Sequence, residues 1–115
     1  ADNIGEHGYD AIGDLLALGR DFDAVFAVTD AVAIGAMRAL QDNGLDVPGD
    51  VAVVGFDDMP LAAHVTPALT TVRQDIRQAS EGLVHSIVDL IEGRPVESTL
   101  MPPRLIVRKS CGANN

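Results

Sequence analysis

The chain predicts an α/β fold, a parallel sheet with crossover helices, and three observations carry that prediction. Stretches with helical apolar spacing alternate with short β-branched runs, the order produced when each strand is followed by a helix that returns the chain to the same sheet. The run Val51-Ala52-Val53-Val54 is continuous rather than alternating in polarity, which is the composition of a strand buried on both faces. It ends in Gly55-Phe56-Asp57-Asp58, two carboxylates at a strand end, where open α/β sheets place their ligands. A binding crevice is expected there.

From Gly8 to Leu18, the residues Tyr9, Ile12, Leu15, Leu16 and Leu18 form a helical stripe that stops at Gly19. A short buried strand follows over Asp23–Val28. A second helix runs from Ala31 to about Asn43, with Ala33, Ile34, Met37 and Leu40 on its apolar side, and Asn43-Gly44 ends it. Pro48-Gly49-Asp50 turns into the strand Val51–Gly55. Thr70–Arg73 is a further short strand, and a long helix extends from about Ile76 to Glu92, with Asp75 as its N-cap and Gln78 completing a capping box. Its apolar residues Ile76, Ala79, Leu83, Ile87 and Leu90, widened by Val84, Val88 and Ile91, exceed the ~100° stripe of a surface helix, so cover from two directions is expected. Gly93-Arg94-Pro95 ends this helix. Pro102 and Pro103 lead into a last strand, Arg104–Arg108, and the tail Ser110–Asn115 is expected to fray.

At 115 residues the chain has room for one core, burying roughly two-thirds of the surface its unfolded form exposes. Hydrophobic residues make up 47% of it, which argues against disorder, but Tyr9, Phe22, Phe26 and Phe56 are its whole aromatic content, so the core must be aliphatic. Eight Lys+Arg against 17 Asp+Glu give a formal net charge of −9. That field repels phosphate backbones and excludes these residues as a grip on DNA through counterion release. Cys111 stands alone, so no intrachain disulfide is possible and a reducing compartment is the simpler expectation. No apolar run approaches the ~20 residues of a membrane-spanning helix. No signal segment opens the chain, and its start at Ala1 fits a processed or excised piece.

Most catalytic chemistries find no support. His7, His64 and His85 share no helical face or ligand spacing and read as surface or interface residues, so no metal centre is expected. Ser80, Ser86 and Ser98 lie in no G-x-S-x-G context, and neither G-x-G-x-x-G nor G-K-[ST] occurs. Asp57 could serve as a phosphatase nucleophile, yet no phosphate loop or second catalytic group accompanies it. The expectation is a binding protein without cofactor, not an enzyme.

At the strand ends the residues leave alternatives open. Asp30 precedes a helix and can cap its first turn, worth ~1 kcal/mol. Asp57 and Asp58 can bond their own following backbone as turn residues; two carboxylates could also suggest Mg²⁺ or Ca²⁺, but such a site needs more oxygen ligands than this segment offers. Gln74 can be an exposed amide near a helix start.

Taken together, Val51–Asp58 and the later Pro67-Ala68-Leu69-Thr70-Thr71-Val72-Arg73-Gln74 resemble the C-terminal part of the effector-binding domain of LacI/GalR-family transcriptional regulators. The family pattern is approximately V-x-V-V-G-F/Y-D-D and then P-x-L-T-T-V-x-Q, and the resemblance runs from about Tyr9 to Arg108. It implies one lobe, plus crossover segments, of a periplasmic-binding-protein-like type I fold. Residues 1–115 would be a single partial domain in which about 75–100 pack with an N-terminal lobe that this stretch lacks, as it lacks a DNA-binding headpiece.

The resemblance further implies a small polar effector, a sugar or derivative, bound between two lobes by Thr29, Asp30, Phe56, Asp57 and Gln74. Thr29 stands where the family frequently has Asn. Ile34, Met37, Leu61, Ala62 and His64 match positions near the family's homodimer interface, and self-association is expected. Operator DNA would be met only by the absent headpiece, in a cytoplasmic protein with no membrane partner. The alternative is a sugar solute-binding protein of a transporter; a helix-turn-helix or a signal peptide upstream would discriminate them, and Leu61-Ala62-Ala63-His64 leans to the regulator.

Overall fold

The computed structural model describes residues 4–19, 21–74, 76–95 and 102–113. In chain order these form α1 (Ile4–Ala17), β1 (Ala24–Phe26), α2 (Asp30–Asp42), β2 (Ala52–Val54), a 3-10 turn (Pro60–Ala63), β3 (Thr71–Arg73), α3 (Ile76–Ile91) and β4 (Arg104–Ile106). Two compact units result, Ala1–Arg73 with Leu105–Asn115, and Gln74–Arg104.

In the first unit the crossover through α2 makes β1 and β2 parallel, with Ala24 opposite Ala52, Val25 opposite Val53 and Phe26 opposite Val54. Val54 bridges to Thr70 in parallel, and β3 pairs with β4. The core is aliphatic, as composition requires: Ile12, Ala33, Met37, Leu40, Val53 and Leu69 are among its buried members. Phe22 and Tyr9 pack against its margin, whereas Phe26 and Val28 of the β1 segment are exposed at 66% and 73%. Burial of this strand therefore holds for Ala27 and in part for Val25.

Helices α1 and α2 meet backbone to backbone. A Cβ at Gly8 would strike the carbonyl of Val32, and one at Gly35 would strike the carbonyl of Gly5, so only glycine fits at either position. Small residues at a helix crossing let the backbones approach, and the buried residues of α2 accordingly include Ala33, Gly35, Ala36 and Ala39 beside the larger Met37 and Leu40.

The tail departs from the expected fraying at its first residue. Ser110 is fully buried: its carbonyl accepts from Val53 N at 2.9 Å, its hydroxyl donates to Val53 O at 2.6 Å and accepts from Thr70 N at 2.8 Å. Buried backbone groups require partners, and one hydroxyl that both donates and accepts serves two strands at once.

The second unit is dominated by α3. Leu83, Val84, Ile87, Val88, Leu90 and Ile91 are all exposed, from 40% to 80%, so the apolar face read in the sequence lacks the two-sided cover expected of it. At the helix end Arg94 Nε and Nη2 each reach Asp89 Oδ1 at 2.8 Å, and Arg94 pairs also with Glu92. The cap expected at Asp75 and the capping-box role of Gln78 lie outside the described residues, as do the side chains of Ile76 and Ala79.

Candidate functional site

The register of β1 with β2 brings their C-terminal ends out at one edge of the sheet, and the residues that follow are joined directly: Asp30 N donates to Phe56 O at 2.9 Å. The N-cap of α2 is Thr29, whose extended backbone (φ −144°, ψ 162°) lets its hydroxyl oxygen accept from Val32 N at 3.2 Å. Its hydroxyl hydrogen remains available as a donor.

Asp30 therefore is not the cap, and its carboxylate is engaged within the protein. The residue is 1% exposed, with Oδ1 accepting the Thr71 hydroxyl at 2.6 Å and Oδ2 accepting Met59 N at 2.7 Å. Both oxygens are committed to protein donors. Gly55 makes this possible: a Cβ there would strike Asp30 Oδ1 and lie 3.0 Å from Leu69 Cδ2.

Residues 56–59 form a loop whose path is fixed by hydrogen bonds along its length. Gly55 N donates to Thr70 O at 3.0 Å, Asp57 N to Val72 O at 2.8 Å and Asp58 N to the Thr71 hydroxyl at 3.3 Å, while Met59 N goes to Asp30. Asp57 and Asp58 have φ values of 107° and 54°. Non-glycine residues in such regions cost on the order of 1–3 kcal/mol each and persist where surroundings over-determine them.

The two adjacent carboxylates then have opposite environments. Asp57 is exposed. The Asp58 side chain is 5% exposed; Arg73 donates Nε at 2.8 Å and Nη2 at 2.6 Å to its Oδ2, and Arg108 Nη1 lies 2.8 Å from its Oδ1. Burial pushes the Asp58 carboxyl up, but the hydrogen bonds and charges of Arg108 and Arg73 outweigh it and hold the group below its ordinary value of 3.8. Arg108 also donates its backbone N to the Thr70 hydroxyl at 2.8 Å and Nη1 to Leu69 O at 2.9 Å, so it is fixed at both ends.

Of the other expected contacts, Thr29 and Phe56 are half-buried beside this edge. Gln74 is exposed and belongs to the second unit. Among the residues matched to a dimer interface, Met37 and Ala62 are core, at 2% and 0% exposure, which leaves Ile34, Leu61 and His64 with surface to offer. Ile34 lines an open groove of about 480 Å³ between α1 and α2, with Glu6, Asp10 and Arg38, and the Arg38 guanidinium sits 5.9 Å from the Tyr9 ring centre. Sequence reasoning missed Thr71, Arg73 and Arg108 as the groups that hold the loop. A signal was present: two consecutive threonines in a strand bordered by apolar residues are polar groups that must find partners when buried.

The chain matches the model of the periplasmic binding protein-like domain over residues 3–111. It is 44% identical over 95 residues to the HTH-type transcriptional regulator MalR of Streptomyces coelicolor, which covers 81% of this chain and 28% of that protein. It is 41% identical over 106 residues to the lactose operon repressor of Rhizobium radiobacter, covering 91% of this chain and 94% of that sequence. In three dimensions it is similar to the lac repressor dimer bound to operator and the anti-inducer ONPF, with a TM-score of 0.88 at 34% identity, over 95% of this chain and 38% of that one. The chain thus spans under a third of MalR's length.

Proposed function

Because this chain belongs to the periplasmic binding protein-like domain family, among its LacI/GalR-type transcriptional regulators, we propose that it is the effector-sensing part of such a regulator. It binds a small polar effector, a sugar, and thereby changes operator binding by a full-length homodimer. One observation carries the reading: Asp57 stands exposed at a strand end, in a loop whose neighbouring carboxylates, Asp30 and Asp58, are both sequestered by protein donors. A carboxylate accepts hydrogen bonds only, which suits the hydroxyl donors of a sugar.

In this reading Asp57, Phe56, Thr29 and Gln74 are the chain's effector contacts, and residues of the Gln74–Arg104 unit pack with an N-terminal lobe. DNA is met by a headpiece outside these 115 residues, and Ile34, Leu61 and His64 take part in the dimer. The effector acts by a difference in affinity between the operator-binding and released states, the only way a ligand shifts such an equilibrium. The relatives named for lactose and the lac operator make a disaccharide such as lactose the first probe.

The test is Asp57→Ala in the full-length protein, titrated calorimetrically with lactose and, in parallel, maltose. Leaving effector hydroxyls unpaired in a closed site costs about 1–3 kcal/mol, so affinity should fall by a factor of roughly 5 to 150 with the unfolding midpoint little changed. Equal affinity in the folded variant removes Asp57 from the site.

A further inference from the structure

We infer that Asp58 and Asp30, which cannot themselves reach an effector, are positioning residues for the ligand contact at Asp57; the inference rests on the reading of Asp57 proposed above. Four observations converge on it. Asp57 and Asp58 both hold left-handed backbone conformations that side-chain-bearing residues rarely adopt. The backbone N–H groups of 57, 58 and 59 are taken by Val72 O, the Thr71 hydroxyl and Asp30 Oδ2 in succession, so the loop has no freedom to relax. Asp30 in turn holds the Thr71 hydroxyl at 2.6 Å, orienting the same oxygen that accepts from Asp58 N. Finally, the Asp58 carboxylate is gripped on one oxygen by Arg73 and on the other by Arg108.

The chain connectivity gives this grip a specific meaning. Asp58 is the covalent neighbour of Asp57, and Arg73 is the covalent neighbour of Gln74, so one ion pair ties together the backbone beside each of two proposed effector contacts. Arg73 is also the last residue of the first unit before the chain leaves it, and Arg108 comes shortly after its return at Leu105. Asp58 thereby fixes the outgoing and the returning strand against the loop that presents Asp57. Its negative charge acts on effector binding through geometry, without touching the effector.

The experiment compares full-length parent, Asp58→Asn, Arg73→Gln and Asp57→Ala by two readouts. Amide hydrogen exchange of the 55–59 segment, measured by mass spectrometry, reports the clamp without any ligand; lactose affinity by calorimetry reports its purpose. Asp58→Asn should speed exchange about tenfold and weaken lactose binding about tenfold, because a clamp bond to a charged group is lost. Arg73→Gln, at a side chain that is 49% exposed, should produce smaller changes in both. Asp57→Ala should weaken binding with exchange unchanged.

Unaltered exchange in Asp58→Asn overturns the inference, and so does faster exchange with undiminished lactose affinity, which would reveal a purely structural ion pair. If Asp58→Asn does not fold, Arg73→Gln decides by the same two criteria. If the parent binds no lactose, or Asp57→Ala binds it normally, the effector reading fails by itself, and exchange alone then judges the clamp: unaltered rates in Asp58→Asn refute it.

Discussion

Acid has a defined entry to this loop through Asp58, the carboxylate held 5% exposed between Arg73 and Arg108. Its folded pKa is depressed below the free value of 3.8, so its contribution to stability is complete above that value and is lost as pH falls through the folded pKa. Comparing denaturant unfolding of the parent with Asp58→Asn should give a gap of about 1.5–3 kcal/mol at neutral pH, set by hydrogen bonds to a charged group. The gap should hold down to about pH 4 and close below it; a gap that closes near neutrality would assign the titration to a histidine instead. Which aspartate does what was only half legible beforehand. The strand-end position of Asp57 and Asp58 follows from β-branched runs ending in glycine, but the assignment of one carboxylate to solvent and the other to two arginines depends on backbone φ and on strand pairing with β3 and β4. Asp30 shows the same limit: its place before a helix is a sequence fact, whereas its use by Met59 and Thr71 requires three segments distant in the chain to meet.

Helices were the more legible elements, because a period of apolar residues and a terminating glycine are local properties. The second helix, read over Ala31–Asn43, occupies Asp30–Asp42, and the long one, read over Ile76–Glu92, occupies Ile76–Ile91. Strands were read longer than they are: Asp23–Val28 narrows to Ala24–Phe26 and Val51–Gly55 to Ala52–Val54. Apolar composition marks where a chain wants burial, and pairing partners decide how much of it becomes ladder. The glycines of α1 and α2 gave no warning, since a glycine inside a helical pattern ordinarily only weakens it. Here Gly35→Ala forces a methyl into the Gly5 carbonyl and should destabilise the first unit by about 1–3 kcal/mol through overpacking. Gly13→Ala, on α1 with open space around it, should be neutral or raise stability by up to about 1 kcal/mol. Thermal or urea unfolding of the two variants checks the pair; equal effects would mean the helices can slide apart at no cost.

Across the whole molecule the net charge of −9 sets what the 115 residues do in the presence of nucleic acid. With eight basic residues, of which Arg73, Arg77, Arg94 and Arg108 are engaged in ion pairs, no basic stripe remains among the described residues to follow a groove. A mobility-shift assay at moderate salt should show no sequence-selective retention of duplex DNA by these residues; selective retention would contradict the assignment of operator contact to a separate headpiece. Leu83, Val84, Ile87, Val88, Leu90 and Ile91 of α3 are exposed apolar side chains, as in the first unit are Phe26 and Val28. The tie made by Ser110 bears finally on the order in which the first unit can be built. Val53 and Thr70 are synthesised well before Ser110, and both wait on it for hydrogen-bond partners. A ribosome must therefore release the end of this stretch before its first half can finish, and until that moment the nascent chain carries an unfilled slot in its sheet.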